Sequence, residues 1–198
     1  MSTTRLIIVA VGGQGNLLAS KVLGEAALLS NLPVRMSEIH GMAQRGGVVE
    51  SALVFGEADS SIISDGEADV LVSFEPSEAL RALNKCNSKT KVITSLSPVQ
   101  PFTVAIGNGV YPEIDTMKKL LDEKTGGLIS FNAVELAEKA GTVMSVNMVL
   151  LGALIQTGIL PIPAENVKTA IQTTTKKAFV DINIKAFDLG FEAAEKNS

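Results

Sequence analysis

The chain has 198 residues, with 17 Lys and Arg against 21 Asp and Glu; the resulting net charge of −4 leaves no concentrated basic face for a nucleic-acid backbone. Apolar residues make up 46% and charged residues 19%, the balance of a globular protein with a real core, and a single Tyr with no Trp leaves little on which to stack bases. The one Cys excludes both an internal disulfide and an iron–sulfur cluster held by this chain, and the one His excludes a histidine-rich zinc site.

The opening TRLIIVAVGG lacks a small-residue cleavage site and reads as a first strand over residues 5 to 11, not as a signal peptide. A helix over 15 to 30 follows, with Leu18, Val22, Ala26 and Leu29 on one stripe. Strands are expected at 33 to 38, at 48 to 55 (VVESALVF), at 70 to 74 (VLVSF) and at 91 to 95 (KVITS). Pro76 opens a short helix through Leu83. After prolines at 98, 101 and 112, EIDTMKKLLDEKTGG is a charged amphipathic helix closed by a glycine pair, and LISF with AVELAEKAG repeats the strand–helix alternation.

From about residue 145 only helices are expected. The stretch 143 to 155, VMSVNMVLLGALI, is too short to span a bilayer and reads as a buried helix. A soluble cytoplasmic protein without a membrane partner is the expectation. The pattern implies a single domain over residues 1–198, an α/β fold with three α/β/α layers: a mostly parallel, Rossmann-like sheet with a helical C-terminal section.

Two stretches carry candidate chemistry. In AVGGQG the dinucleotide pattern wants glycine at its first, third and sixth places, and finds Ala10, Gly12 and Gly15. The amides at the helix start would favour an anion, so Gly12, Gly13 and Gly15 are candidates for cofactor contact, with Glu38 near the distance expected of a ribose-binding acid. The alternative is a close strand–helix crossover that needs small residues for packing. The second stretch, SEIHGMAQRGG at 37 to 47, follows a strand end, where open α/β sheets place ligands. Arg45, with Gly46 and Gly47 beside it, could grip a carboxylate or phosphate in a fork; His40 could donate a hydrogen bond or shuttle a proton, with Gln44 close by. A polar connector with a solvated His40 is the competing reading.

The stretches VGGQGNLLASKVLGEAAL, SEIHGMAQRGGVVESALVFG, ADVLVSFEPSEALRAL and NIKAFDLGFEAA together resemble the small subunits of indolepyruvate:ferredoxin oxidoreductases. More broadly, they are similar to the gamma subunit or domain of 2-oxoacid:ferredoxin oxidoreductases, from about residue 5 to 195, with Ala10 a departure from the usual glycine. The resemblance implies a subunit, inactive alone, of an enzyme that oxidatively decarboxylates a 2-oxo acid such as indolepyruvate or another arylpyruvate. Coenzyme A is then the acyl acceptor and ferredoxin the electron acceptor. It also implies that thiamine diphosphate, magnesium and 4Fe–4S clusters sit in a large partner subunit, with no cofactor in this chain. In agreement, the chain lacks the GDG segment followed by NN that holds thiamine's magnesium diphosphate in such enzymes. A free-standing Rossmann-like nucleotide-binding protein using AVGGQG and Glu38 is the rival reading, and a purely structural assembly subunit a third.

Cys86, in the polar NKCNSK, reads as a passive surface thiol. On the last helix, 179 to 195, the apolar arc exceeds half the circumference. Most of it is expected to be covered by this chain, the rest by another subunit or, in isolation, by a second copy.

Overall fold

A computed structural model describes residues 3–41, 47–100, 104 and 106–196. The first strand, β1 (Thr4–Val11), runs through the middle of a six-stranded sheet, so both of its faces are covered. Leu6, Ile8 and Ala10 enter one hydrophobic core, and Ile7 and Val9 enter another on the opposite face. That is why its sequence is apolar without alternation. Helix α1 (Asn16–Leu29) follows, then β2 (Val34–His40) and β3 (Val48–Phe55).

These two strands form an antiparallel hairpin, with Ile39 opposite Glu50, and β3 then lies antiparallel against β1, with Ala10 opposite Val49. On the other side of β1 come β4 (Val70–Ser73), β5 (Lys91–Ser95) and β6 (Leu128–Phe131), each parallel to its neighbour. The order is β2-β3-β1-β4-β5-β6, and only β3 runs against the rest. The sheet is thus mostly parallel, as expected from sequence.

The helical layers are unequal. Helices α2 (Pro76–Arg81) and α3 (Ile114–Lys124) place Ala79 and Leu121 in the core of one face. The other face carries α1 together with α4 (Ala133–Ala140), α5 (Val146–Gln156), α6 (Ala164–Thr174) and α7 (Val180–Lys196). Every residue of α5 from Val146 to Ile155 is buried, the condition under which a helix can be apolar all round. Its axis presses on α7 through two glycines. A Cβ on Gly152 would lie 1.9 Å from the Phe187 carbonyl oxygen, and one on Gly190 would lie 1.8 Å from that of Val149. Backbone touches backbone at this crossing.

This packing accounts for most of the wide apolar arc of the last helix: Ala186, Phe187, Gly190 and Ala194 are buried within the chain, and Phe191 packs against the same core. Among the described residues no single helix is long and apolar enough to cross a membrane.

Candidate functional site

The turn after β1 is built from glycines with separate tasks. Gly13 (φ 101°) and Gly15 (φ 85°) adopt left-handed backbone that a side chain would strain, and Gly15 opens α1. The Gly12 amide donates to the Gly47 carbonyl at 2.8 Å, tying the turn to the far end of the β2–β3 connection. Gln14 folds back over the turn: its Oε1 accepts from the Val11 amide at 2.8 Å, and its Nε2 donates to the Phe74 carbonyl at 3.3 Å. That second bond spans the C-terminal ends of β1 and β4, where strand order reverses and where doubly wound sheets open their ligand crevice.

The geometry departs from a dinucleotide site at two points. A Cβ on Gly15 would sit 2.7 Å from Asn147 Nδ2, and that nitrogen donates to the Gly15 carbonyl at 3.2 Å. The last glycine of the pattern therefore makes room for a side chain of α5. The expectation that Glu38 lies at ribose distance also needs correction. In a dinucleotide fold the second strand lies beside the first, whereas here β3 intervenes, putting β2 two strand spacings, roughly 10 Å, from β1.

His40 ends β2 at the sheet edge. Its side chain is 60% exposed, and Nε2 lies 3.4 Å from Glu38 Oε2. The other Glu38 oxygen, Oε1, is buried and makes no hydrogen bond to any of the described residues. Gln44, Arg45 and Gly46 lie outside the described residues. Gly47 is placed by its bond to Gly12. Of the candidates from sequence, Gly13 and Gly15 come together on the wall of a cleft, whereas Gly12, His40 and Gly47 do not line it.

The cleft has a volume of about 610 Å³. Its floor and sides combine the glycine turn, Leu18 of α1, Val134 of α4, the 3-10 turn Val143–Ser145, and the junction of α6 with α7 at Thr174, Lys176 and Phe179. Lys176 is the one charged side chain among the described lining residues. Polar atoms are few. Ser145 Oγ donates to Asn183 Oδ1 at 2.8 Å, both residues being buried, and the Thr174 and Thr175 hydroxyls are turned onto α6 carbonyls. Val143, Met144 and Phe179 stand exposed at the rim.

Beyond the cleft's Val99 lies a buried carboxylate that sequence reasoning passed over. Glu75, 0% exposed, sits between β4 and α2. Its Oε2 accepts from the Glu78 amide at 3.0 Å and from the Ser77 hydroxyl at 2.5 Å; its Oε1 accepts from the Val99 amide at 3.3 Å and from the Tyr111 hydroxyl. Burial, reinforced by this carboxylate, holds the Tyr111 phenol above the ordinary range. The legible signal was the order EPSE, an acceptor placed before a first-turn proline, but Glu is a rare helix cap. Asn147 and Asn183 had a clearer signal, as amides inside otherwise apolar helices.

Cys86 is not a surface thiol, as its polar neighbours suggested. It packs half-buried against the smaller core, its Sγ 3.8 Å from the Ala82 carbonyl, and burial pushes the thiol up to about 11. It is inert for that reason. Among the described residues no group of three or more His, Cys, Asp or Glu could hold a metal ion.

Residues 5–193 match the family model of pyruvate ferredoxin/flavodoxin oxidoreductase. The chain belongs to that family. Within it, the chain is 42% identical to indolepyruvate oxidoreductase subunit IorB of Methanothermobacter thermautotrophicus, over 97% of this chain and 98% of that one. Identity to the subunit of the same name from Thermococcus kodakarensis is 41%, over 99% and 98%. The fold is shared with the gamma subunit of a keto/oxoacid ferredoxin oxidoreductase from Geobacter sulfurreducens (TM-score 0.70, 24% identity, 98% of this chain and 99% of that one). It is also found within a 2-oxoglutarate:ferredoxin oxidoreductase from Magnetococcus marinus (TM-score 0.75, 17% identity), where all of this chain corresponds to 32% of that one. The same fold thus occurs both as a separate subunit and as part of a longer chain.

Proposed function

We propose that this chain is the small subunit of an indolepyruvate, or more generally arylpyruvate, ferredoxin oxidoreductase found in the cytoplasm. The observation that carries this reading is the identity of about two residues in five along essentially the whole length of the indolepyruvate oxidoreductase subunits. The residues present do not fit the redox groups of such an enzyme: one cysteine cannot supply the thiolates of a 4Fe–4S cluster. Thiamine diphosphate, magnesium and the clusters accordingly belong to a large partner subunit, which passes electrons to ferredoxin, and coenzyme A takes the acyl group. The whole chain acts as one domain that walls the approach to the partner's reaction centre.

Co-expression with a thiamine- and cluster-bearing large subunit is the test. The expected product is a brown complex that reduces ferredoxin only when an arylpyruvate and coenzyme A are both present, whereas the chain alone is colourless. A colourless chain that instead takes up NAD with low-micromolar affinity in calorimetry would promote the nucleotide-binding alternative.

Within that complex, Arg45, Gln44 and His40, flanked by Gly46 and Gly47, approach the anionic end of the oxo acid or of coenzyme A. The placement of Gly47 beside the β1 turn, at the C-terminal edge of the sheet, supports this. Loss of a charged hydrogen bond costs roughly 1.5–3 kcal/mol, so Arg45→Ala should raise KM for one of these substrates about ten- to a hundredfold with assembly intact. Lys at this position restores only part of the loss, because it lacks the planar fork. Unchanged kinetics in an assembled Arg45→Ala complex would return the segment to a connector.

A further inference from the structure

One edge of the sheet is open along its whole length. Strand β2 is outermost and seven residues long, whereas the opposite edge, β6, has four. The ladder from β2 to β3 is bracketed by two bonds, Gly56 amide to Pro33 carbonyl and Gly41 amide to Val48 carbonyl. Alternation between these ends turns the odd residues of β2 towards β3, so Val34, Met36, Glu38 and His40 present their amides and carbonyls outward. No described residue bonds those groups. Such an edge is a template for another strand unless something blunts it. Neither a proline nor a bulge interrupts β2, and its one arginine, Arg35, is turned onto the Ala58 carbonyl. The apolar surface continues past the strand. Leu17, Lys21, Gly24 and Leu28 fall on one stripe of α1, and Gly24 fixes its direction, because a Cβ there would lie 3.1 Å from Met36 Sδ. The stripe therefore overhangs the open edge. Leu17 is 59% exposed, Leu28 64% and Met36 43%, with Ile39 at 65% on the other face of the strand.

We propose that β2 pairs antiparallel with β2 of a second copy of this chain about a two-fold axis, joining two sheets edge to edge. A two-fold perpendicular to the sheet pairs residues of like parity, and the register that engages all seven residues sets Ser37 opposite its own copy. Met36 then lies opposite Glu38, and Val34 opposite His40. A register centred on Glu38 instead would oppose two carboxylates. The same axis makes the α1 stripe self-complementary. The helix rises about 1.5 Å per residue and the strand about 3.3 Å. Counted from the Gly24–Met36 contact, Leu17 lies roughly 7 Å to one side of the axis and Leu28 roughly 9 Å to the other. Each Leu17 thus comes level with Leu28 of the other copy, and the Met36 side chains fill the trough over the joined strands. Lys21 falls at the level of the axis, close to Glu38, whose Oε1 has no hydrogen bond among the described residues. Two lysines and two carboxylates meet there with no net charge. A copy supplies this leucine spacing and charge order, reversed, by symmetry alone.

Sedimentation velocity and cross-linking of the isolated full chain test this. Wild type should be dimeric at about 100 μM, as even a small specific interface allows. Leu17→Glu combined with Leu28→Glu, both at exposed positions, should raise the dimer Kd at least about tenfold. Phe179→Ser, at the exposed rim of the cleft, should leave it unchanged. The register has its own readout. Facing residues of a non-hydrogen-bonded antiparallel pair have Cα atoms about 4.5 Å apart, within disulfide reach. Mild oxidation of Ser37→Cys should therefore give a disulfide joining position 37 to itself, identified by peptide mass. Wild type, whose single Cys86 is half-buried, should give no covalent dimer. A monomeric wild type, a dimer that survives the double leucine substitution, loss of the dimer through Phe179→Ser, or no disulfide between positions 37 each overturns the proposal. If the wild-type chain is monomeric and the double leucine variant no longer joins a large subunit, the edge is that subunit's seat and not a seat for a second copy. None of these outcomes bears on the enzyme assignment, which the co-expression test decides separately.

Discussion

Gly190→Ala should be among the most damaging single-methyl additions in the molecule. The new Cβ would fall 1.8 Å from the Val149 carbonyl oxygen and 2.6 Å from its carbon, both backbone atoms of the fully buried α5. A flexible side chain could turn away from such a clash, but here two helix axes must separate. The helices on either side belong to the larger core, so separation opens voids along its length. Overpacking in a core costs roughly 1–3 kcal/mol and more where backbone must move, so a loss of about 3 kcal/mol or above is expected in urea unfolding. Gly152→Ala, whose Cβ meets the Phe187 carbonyl oxygen at 1.9 Å, should behave alike. The double variant should cost less than the two losses added, because the first methyl already parts the helices for the second. A Gly190→Ala protein within 1 kcal/mol of wild type would mean that the crossing is looser than these distances allow.

Glu75→Leu should rank beside it. The substitution strands the amides of Glu78 and Val99, which cannot turn elsewhere, while the hydroxyls of Ser77 and Tyr111 can reorient. Two buried amides without acceptors cost roughly 2–6 kcal/mol, a large share of the stability of any single domain. Glu75→Gln keeps one acceptor oxygen and should lose about half as much. If both variants unfold at the wild-type midpoint, the carboxylate is not the clamp described.

A pH signature accompanies this network. The Tyr111 phenol is raised in the folded state, so its contribution to stability is fully present below the unfolded value near pH 10 and is lost as pH rises through the folded one. Wild type should therefore weaken more steeply above about pH 10 than Tyr111→Phe does. With one Tyr and no Trp, phenolate absorbance follows that single group directly.

The elements were legible in the sequence because they rest on local signals. RLIIVAV is apolar on both faces because β1 is central, and VNMVLLGALI is apolar all round because α5 is enclosed. The place of β3 was not legible. The seven residues between Val34–His40 and Val48–Phe55 are too few for a parallel crossover and imply an antiparallel pair, but nothing within the strands states that β3 inserts between β2 and β1. That choice is made by long-range burial of Leu53 and Phe55, not by propensity. For the same reason Glu38 looked well placed for a ribose while lying at the far edge of the sheet. The cleft was invisible for a different reason: its residues come from five separated stretches, which only the fold brings together.

The order in which the layers are made carries a consequence for synthesis. The sheet is complete once Phe131 has emerged, yet the face bearing Leu6, Ile8, Val70 and Val72 is roofed chiefly by α4 to α7, which are translated last. At roughly 5–20 residues per second, the stretch from Asn132 to Lys196 takes about 3 to 13 seconds to appear. Throughout that interval a finished but half-covered sheet stands at the ribosome exit. The nascent chain is then at its most adhesive, and chaperone attendance matters most there. A ribosome stalled before α7 would release a product whose backbone is largely formed and whose apolar face has no roof.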